Sequence, residues 1–205
     1  MEPSQAHIPL AIAVLAGGQS TRMGSDKSFA LLNGRPLIEH TIDKLETLRR
    51  TYPTAPILII SNNVAVYSYL GLPVLTDVLP HRASLSGLYS ALWHSPAQFT
   101  LCVACDMPFL NPALLEYLIQ AAEGWEAAIP RIGDHLETLH AVYSKSCLNP
   151  IRGALDRREL KITKAVTSLQ TNYIDVPALR RLDPELHSFR NINTHDDLAR
   201  ANRDV

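Results

Sequence analysis

Ala11-Ile12-Ala13-Val14-Leu15-Ala16-Gly17-Gly18-Gln19-Ser20-Thr21-Arg22-Met23-Gly24-Ser25-Asp26-Lys27 is an apolar run broken by two glycines and followed by two cations. Its first five residues are uniformly apolar and partly β-branched, as in a strand covered on both faces of a parallel sheet. Gly17 and Gly18 let the backbone turn tightly and bring its N–H groups close to a ligand. Consecutive N–H groups of this kind form an anion-binding concavity. Arg22 can fork across phosphate oxygens, and Lys27 adds a point charge. The assembly suits a triphosphate. The G-x-G-x-x-G pattern is absent, and no Gly-Lys-Ser/Thr follows at P-loop spacing. The competing reading is a plain glycine turn with solvated charges.

Working outward, the spacing predicts further strands at 57–61 and 101–105, with a weaker one at 74–75. Amphipathic helices come between them. Pro36 suits the first turn of a helix carrying Ile38, Ile42, Leu45 and Leu48. Ser84 is positioned to cap a helix bearing Leu85, Leu88, Tyr89 and Leu92, and Asn111-Pro112 opens one carrying Leu115, Leu118, Ile119 and Ala122. The second half predicts strands at 127–130, 136–143 and 173–176 and a helix at 148–155. Thr194, followed by Asp196 and Asp197, reads as the N-cap of a last short helix. This alternation points to one α/β domain over residues 1–205, a three-layer sandwich with a mostly parallel, Rossmann-like sheet. In such sheets the ligand sits beyond the carboxyl ends of the strands.

The chain has 205 residues, 46% of them hydrophobic and 19% charged, with a net charge of −1. That is an ordinary globular composition, and it excludes a strongly basic nucleic-acid binder. The apolar run at 8–16 is too short to span a bilayer. Residues 1–7 hold no Lys or Arg, unlike the start of a secretory signal, so a cytoplasmic protein without membrane or nucleic-acid partners is expected. Cys102 and Cys105 spell C-x-x-C inside a strand-like run, where positions three apart face opposite ways. With Cys147 they read as buried structural thiols rather than zinc ligands.

Several polar residues fall at strand ends. Asp106 stands where Mg²⁺, which takes one or two carboxylates together with phosphate oxygens, would be held; the alternative is a helix cap, for which Asn111 is better sited. Asp77 could accept from a ribose hydroxyl or from guanine N–H groups, or merely start a loop. Asn191 and Asn193 flank Ile192, so both share a side if the segment is extended. Their amides could serve a metal, phosphate or pterin, or only their own turn. His81 and Arg82 lie in a loop near the active edge. His140 reads as a hydrogen-bonded core residue.

The composite A-G-G-x-S-x-R-M-G-x-D-K at 16–27 resembles the signature of nucleotidyltransferases that activate sugars and cofactors, and most closely the molybdenum cofactor guanylyltransferases. The similarity continues through Asn33-Gly34-Arg35-Pro36-Leu37-Ile38, Asp77, Ser84-Leu85-Ser86-Gly87, Asp106-Met107-Pro108 and Asn191-Ile192-Asn193-Thr194. Ala83-Ser84-Leu85 departs from the Gly-Pro-Leu often found there. The resemblance implies the nucleotide-diphospho-sugar transferase fold and transfer of GMP from GTP to the terminal phosphate of molybdenum-bound molybdopterin. It implies nucleotide contacts from Leu15, Ala16, Gly17, Gly18, Lys27, Asn62, Asp77 and Asp106. Arg22, Lys27 and Asp106 would be catalytic, Asp106 would hold Mg²⁺, and Asn191 and Asn193 would face the acceptor. Other proteins of molybdenum cofactor biosynthesis, or molybdoenzymes, are the implied protein partners. Rival readings are a related transferase using CTP or another nucleotide with a different phosphorylated acceptor, and a nucleotide-binding protein without catalysis.

Overall fold

The computed structural model describes residues 8–17, 27–80 and 83–203. The first half runs β1 (Leu10–Leu15), β2 (Leu31–Leu32), β3 (Arg35–Pro36), α1 (Leu37–Leu48), β4 (Ile57–Ile60), α2 (Val64–Tyr67), β5 (Val74–Leu75) and α3 (Ser84–His94). The second half continues with β6 (Phe99–Ala104), α4 (Pro112–Ala121), β7 (Ala127–Ile132), β8 (His135–Leu136) and β9 (His140–Ser144). It closes with α5 (Leu148–Asp156), α6 (Ile162–Ala165), β10 (Thr171–Asp175), α7 (Val176–Leu179) and α8 (His195–Ala201). Short 3-10 turns at Lys27–Phe29 and His187–Phe189 lie between them.

The main sheet has the order β10-β7-β9-β6-β1-β4-β5, with β8 paired to β7. β1 pairs in parallel with β4 and β6, β4 with β5, and β7 with β10. β9 runs antiparallel between β6 and β7, so β7 and β10 regain the direction of β1. The sheet is therefore mostly parallel.

Alternation along the strands separates two cores. Ile12, Val14, Ile57, Ile59, Leu101 and Val103 pack against Ile38 and Leu45 of α1 and Leu114, Leu115 and Leu118 of α4. Ala13, Ile60, Cys102, Ala141 and Tyr143 face Leu85, Leu88 and Leu92 of α3, Ile151 and Leu155 of α5, and Ile162 of α6. Helices cover both faces, which is the three-layer arrangement. Cys102 belongs to one core and Cys105 to the other. All three cysteines are buried and free, and burial raises the Cys102 thiol and pushes Cys147 up to about 12.

Local chemistry explains two of the helix starts. Asn111 caps α4, its side chain accepting from the N–H groups of Ala113 and Leu114 at 3.0 and 3.4 Å, with Pro112 at the first position. Thr194 and Asp197 form a reciprocal capping box on α8. Asn111→Ala is expected to lower stability by about 1 kcal/mol. A urea midpoint unchanged from wild type would show that this cap contributes nothing.

Four expectations need correction. Ser84 is the first residue of α3, not its cap; Ala83 holds the cap position and no side chain bonds there. Pro36 precedes α1 as its cap residue and pairs with Leu31 in the β2–β3 hairpin instead of entering the helix. The strand expected over 136–143 is two strands. Gly133, at φ +61°, helps turn β7 back into β8, and the chain turns again at 137–139, where His140 N–H donates to the Glu137 carbonyl at 3.1 Å. Val176 begins α7 rather than ending β10, because Pro177 has no N–H for a ladder and suits a first helical turn. Elsewhere the ends shift by a residue or two: β6 is Phe99–Ala104 and β4 stops at Ile60. No helix among the described residues is long and apolar enough to cross a membrane.

Candidate active site

Strand register decides which residues meet. Leu15 lies opposite both Ile60 and Ala104, and Ile60 lies opposite Leu75. The four parallel strands therefore end level with one another. Ala16 and Gly17, Ser61 and Asn62, Thr76 and Asp77, and Cys105 and Asp106 leave the sheet side by side at its carboxyl edge. Backbone bonds continue past the strand ends: Ala16 N–H to the Ile60 carbonyl (3.0 Å) and Cys105 N–H to the Leu15 carbonyl (3.2 Å). A Cβ added at Gly17 would meet nothing closer than the Ile60 carbonyl at 3.8 Å. The packing of the described residues therefore does not demand glycine there.

Asp106 is 4% exposed and forms an ion pair with Lys27, whose ammonium group also donates to Asn193 Oδ1 at 2.8 Å. Ile192 N–H donates to the Asp106 carbonyl at 3.1 Å, which holds the 191–193 segment against the Asp106 turn. Ile192 is buried with Leu32, Leu37 and Ala201, and Asn193 beside it reaches Lys27. The Asp197 carboxylate fixes this segment by accepting from the Asn193 and Thr194 N–H groups at 3.2 and 3.0 Å. The Asn191 amide oxygen is buried and has no hydrogen-bond partner among the described residues. Lys27, Asp106 and Asn193 thus make one contact group, and Asn191 lies two residues before Asn193 on the same segment.

A second group forms at the ends of β4 and β5. Asn62 donates from Nδ2 to Asp77 Oδ2 at 2.8 Å, and its Oδ1 accepts the Asp77 N–H at 3.0 Å. This reciprocal clamp leaves Asp77 Oδ1 buried without a partner among the described residues. Asn62, not Ser61, makes the clamp; Ser61 is buried and accepts from the Asn63 N–H at 3.2 Å. Gly18, Arg22, His81 and Arg82 lie outside the described residues.

His140 departs from expectation. It is fully buried on β9, but neither ring nitrogen has a hydrogen-bond partner among the described residues; the ring packs on Phe189 at 4.6 Å between centroids. Burial lowers its pKa to about 4, opposed only in part by the Asp183 charge and the Ser188 backbone. Asp183 is itself committed to the His187 and Ser188 N–H groups and the Ser188 hydroxyl. His140 is thus an apolar-packed neutral ring, and it does not touch the Lys27–Asp106 group.

Oxygen donors dominate this edge. Among the described residues no three His, Cys, Asp or Glu side chains come together to cage a metal. One strand-end carboxylate fits a hard divalent ion that completes its shell from phosphate and water.

A polar, cation-bearing edge on a mostly parallel three-layer sheet is the architecture of a nucleotidyltransferase. A sequence profile described as the MobA-like NTP transferase domain matches residues 12–171, and the chain belongs to that family. It is 35% identical over 189 residues to a probable molybdenum cofactor guanylyltransferase of Pelotomaculum thermopropionicum, covering 92% of this chain and 89% of that one. It is 32% identical to the molybdenum cofactor guanylyltransferase of Desulfosudis oleivorans, covering 92% of each chain. The crystal structure of molybdopterin-guanine dinucleotide biosynthesis protein A from Archaeoglobus fulgidus superposes with a TM-score of 0.82 at 32% identity, covering 95% of this chain and 97% of that one.

Proposed function

We propose that this chain transfers GMP from GTP to the terminal phosphate of molybdopterin, giving molybdopterin guanine dinucleotide and pyrophosphate. The observation that carries the reading is the convergence of Lys27, Asp106 and Asn193 at the carboxyl edge. The names of the relatives supply the nucleotide and the acceptor. An acceptor phosphate oxygen forms a bond to the α-phosphorus, and the bond from that phosphorus to the pyrophosphate oxygen breaks. Both partners are polyanions, so charge dominates the barrier. Lys27, Arg22 and the backbone N–H groups of the glycine loop offset it. The nucleophile is already ionised, so the reaction needs no general base, and buried His140 is not asked to be one.

Asp106, with the Asn191 amide oxygen, would hold Mg²⁺. The ion's contribution when bound is positive charge against the phosphate oxygens. Asn193 orients the Lys27 ammonium and, with Asn191, faces the acceptor. The Asn62–Asp77 clamp leaves one carboxylate oxygen to accept from the nucleoside, through a ribose hydroxyl or guanine N–H.

Pyrophosphate release in the presence of molybdopterin and Mg²⁺ tests the reading, with GTP, CTP, ATP and UTP compared. Turnover is expected with GTP; preference for CTP would overturn the assignment of the base. Asp77→Asn keeps the shape of the clamp but removes the charge. It is expected to weaken GTP use, read as kcat/KM, by about 10- to 100-fold, the range for losing a hydrogen bond to a charged group. A kcat/KM equal to wild type would remove Asp77 from the nucleotide site.

A further inference from the structure

Lys27 sits in a single 3-10 turn, Lys27–Phe29, and its ammonium meets Asp106, 79 residues further along the chain. The next residue, Ser28, is fully buried, and its hydroxyl lies 2.9 Å from the Tyr67 hydroxyl. Tyr67 is also fully buried, at the end of α2, 39 residues along the chain. Phe29 stacks on the Tyr67 ring at 5.2 Å between centroids, with 29° between the planes. The turn carrying Lys27 is therefore gripped on two consecutive residues by one side chain.

Packing alone does not call for the hydroxyls. A Phe–Ala pair would fill nearly the same space. A hydrogen bond adds direction, which an apolar contact lacks. The direction imposed here is that of the residue adjoining Lys27. A displacement of about 1 Å at a charge-stabilising group costs up to about 10²-fold in rate.

We infer that Tyr67 is a positioning residue for Lys27: its hydroxyl, through Ser28, fixes the turn that aims the ammonium at the reacting phosphate. This rests on the reading that Lys27 offsets triphosphate charge. Tyr67 touches no reacting atom. It belongs to the segment that begins just after Asn62, so one stretch of chain sets both the nucleoside clamp and the phosphate cation.

The test compares Tyr67→Phe, Ser28→Ala, their double variant, Lys27→Ala, and Tyr67→Phe combined with Lys27→Ala. Each is assayed by pyrophosphate release and thermal unfolding. Tyr67→Phe is expected to lower kcat by about 10-fold or more with little change in KM for GTP. The effects of Tyr67→Phe and Ser28→Ala on kcat are expected to be non-additive in the double variant, because both act through the one bond between them. In the Lys27→Ala background Tyr67→Phe should cost nothing further. Two results would overturn the inference. One is kcat losses of the two single variants that simply add in the double, which leaves the bond between the hydroxyls without a role. The other is an undiminished effect of Tyr67→Phe without Lys27. If Lys27→Ala alone turns over like wild type, the underlying reading of Lys27 fails as well, and that outcome is distinct from the other two.

Discussion

Lys27→Ala is expected to reduce kcat for guanylyl transfer by about 10²–10³, the range for removing one preorganised group from a developing anion. Its stability should change far less. The Lys27 side chain is 26% exposed, and solvent at that end weakens the ion pair with Asp106, while partly exposed pairs contribute about 1 kcal/mol or less to folding. The same side chain would supply about 3–4 kcal/mol to the transition state. The two magnitudes separate its roles: a variant that melts near the wild-type temperature but barely turns over has lost chemistry, not fold. Lys27→Arg should recover only part of the rate, because a planar fork cannot occupy the point where one ammonium bonds Asp106 and Asn193 together. Steady-state kinetics with a thermal melt on each variant decides this. Wild-type turnover in folded Lys27→Ala would end the claim that this ammonium serves the reaction.

The legible parts of this protein were those encoded locally. The uniform apolar run of β1, the Asn111 cap and the Thr194–Asp197 box each depend on residues within one or two turns of one another. The position of Asp106 was legible for a different reason: a parallel sheet sends ligands to its carboxyl edge, and a carboxylate directly after a buried strand stands out there. What escaped was mostly long-range. The insertion of β9 between β6 and β7 is set by register across the sheet. The run at 136–143 has strand composition throughout, and only the return of β8 onto β7 reveals the turn at 137–139. Ser84 is a residue type that favours caps, but the helix begins one residue earlier than it can serve. The Asn62–Asp77 clamp and the Ser28–Tyr67 bond join positions 15 and 39 apart, with no periodic signal between them.

His140 should make the protein acid-sensitive in a defined window. Its pKa is about 4 when folded, against an ordinary value of 6.5. Below pH 6.5 the unfolded chain takes up a proton that the folded chain refuses, so stability falls as the pH drops from 6.5 toward 4. Below about 4 both states are protonated and the loss levels off. The full contribution is about 3 kcal/mol, a sizeable fraction of a typical folding free energy. Asp183 acts lower on the scale. Burial raises its pKa, but hydrogen bonds from Ser188 and His187 outweigh that and hold it below the usual 3.8, so its share of stability is lost only as the pH falls through that lower range. Replacing His140 with leucine removes two buried nitrogens that bond to nothing among the described residues, and at pH 7 this should be close to neutral. Urea unfolding of wild type and His140→Leu at half-unit steps from pH 7 to 4 isolates the residue, because every other titrating group is common to both chains. The variant is expected to overtake wild type steadily as the pH falls, and its gain should stop growing near pH 4. Parallel curves would mean that the ring accepts its proton inside the folded core, and burial would then not be what governs it.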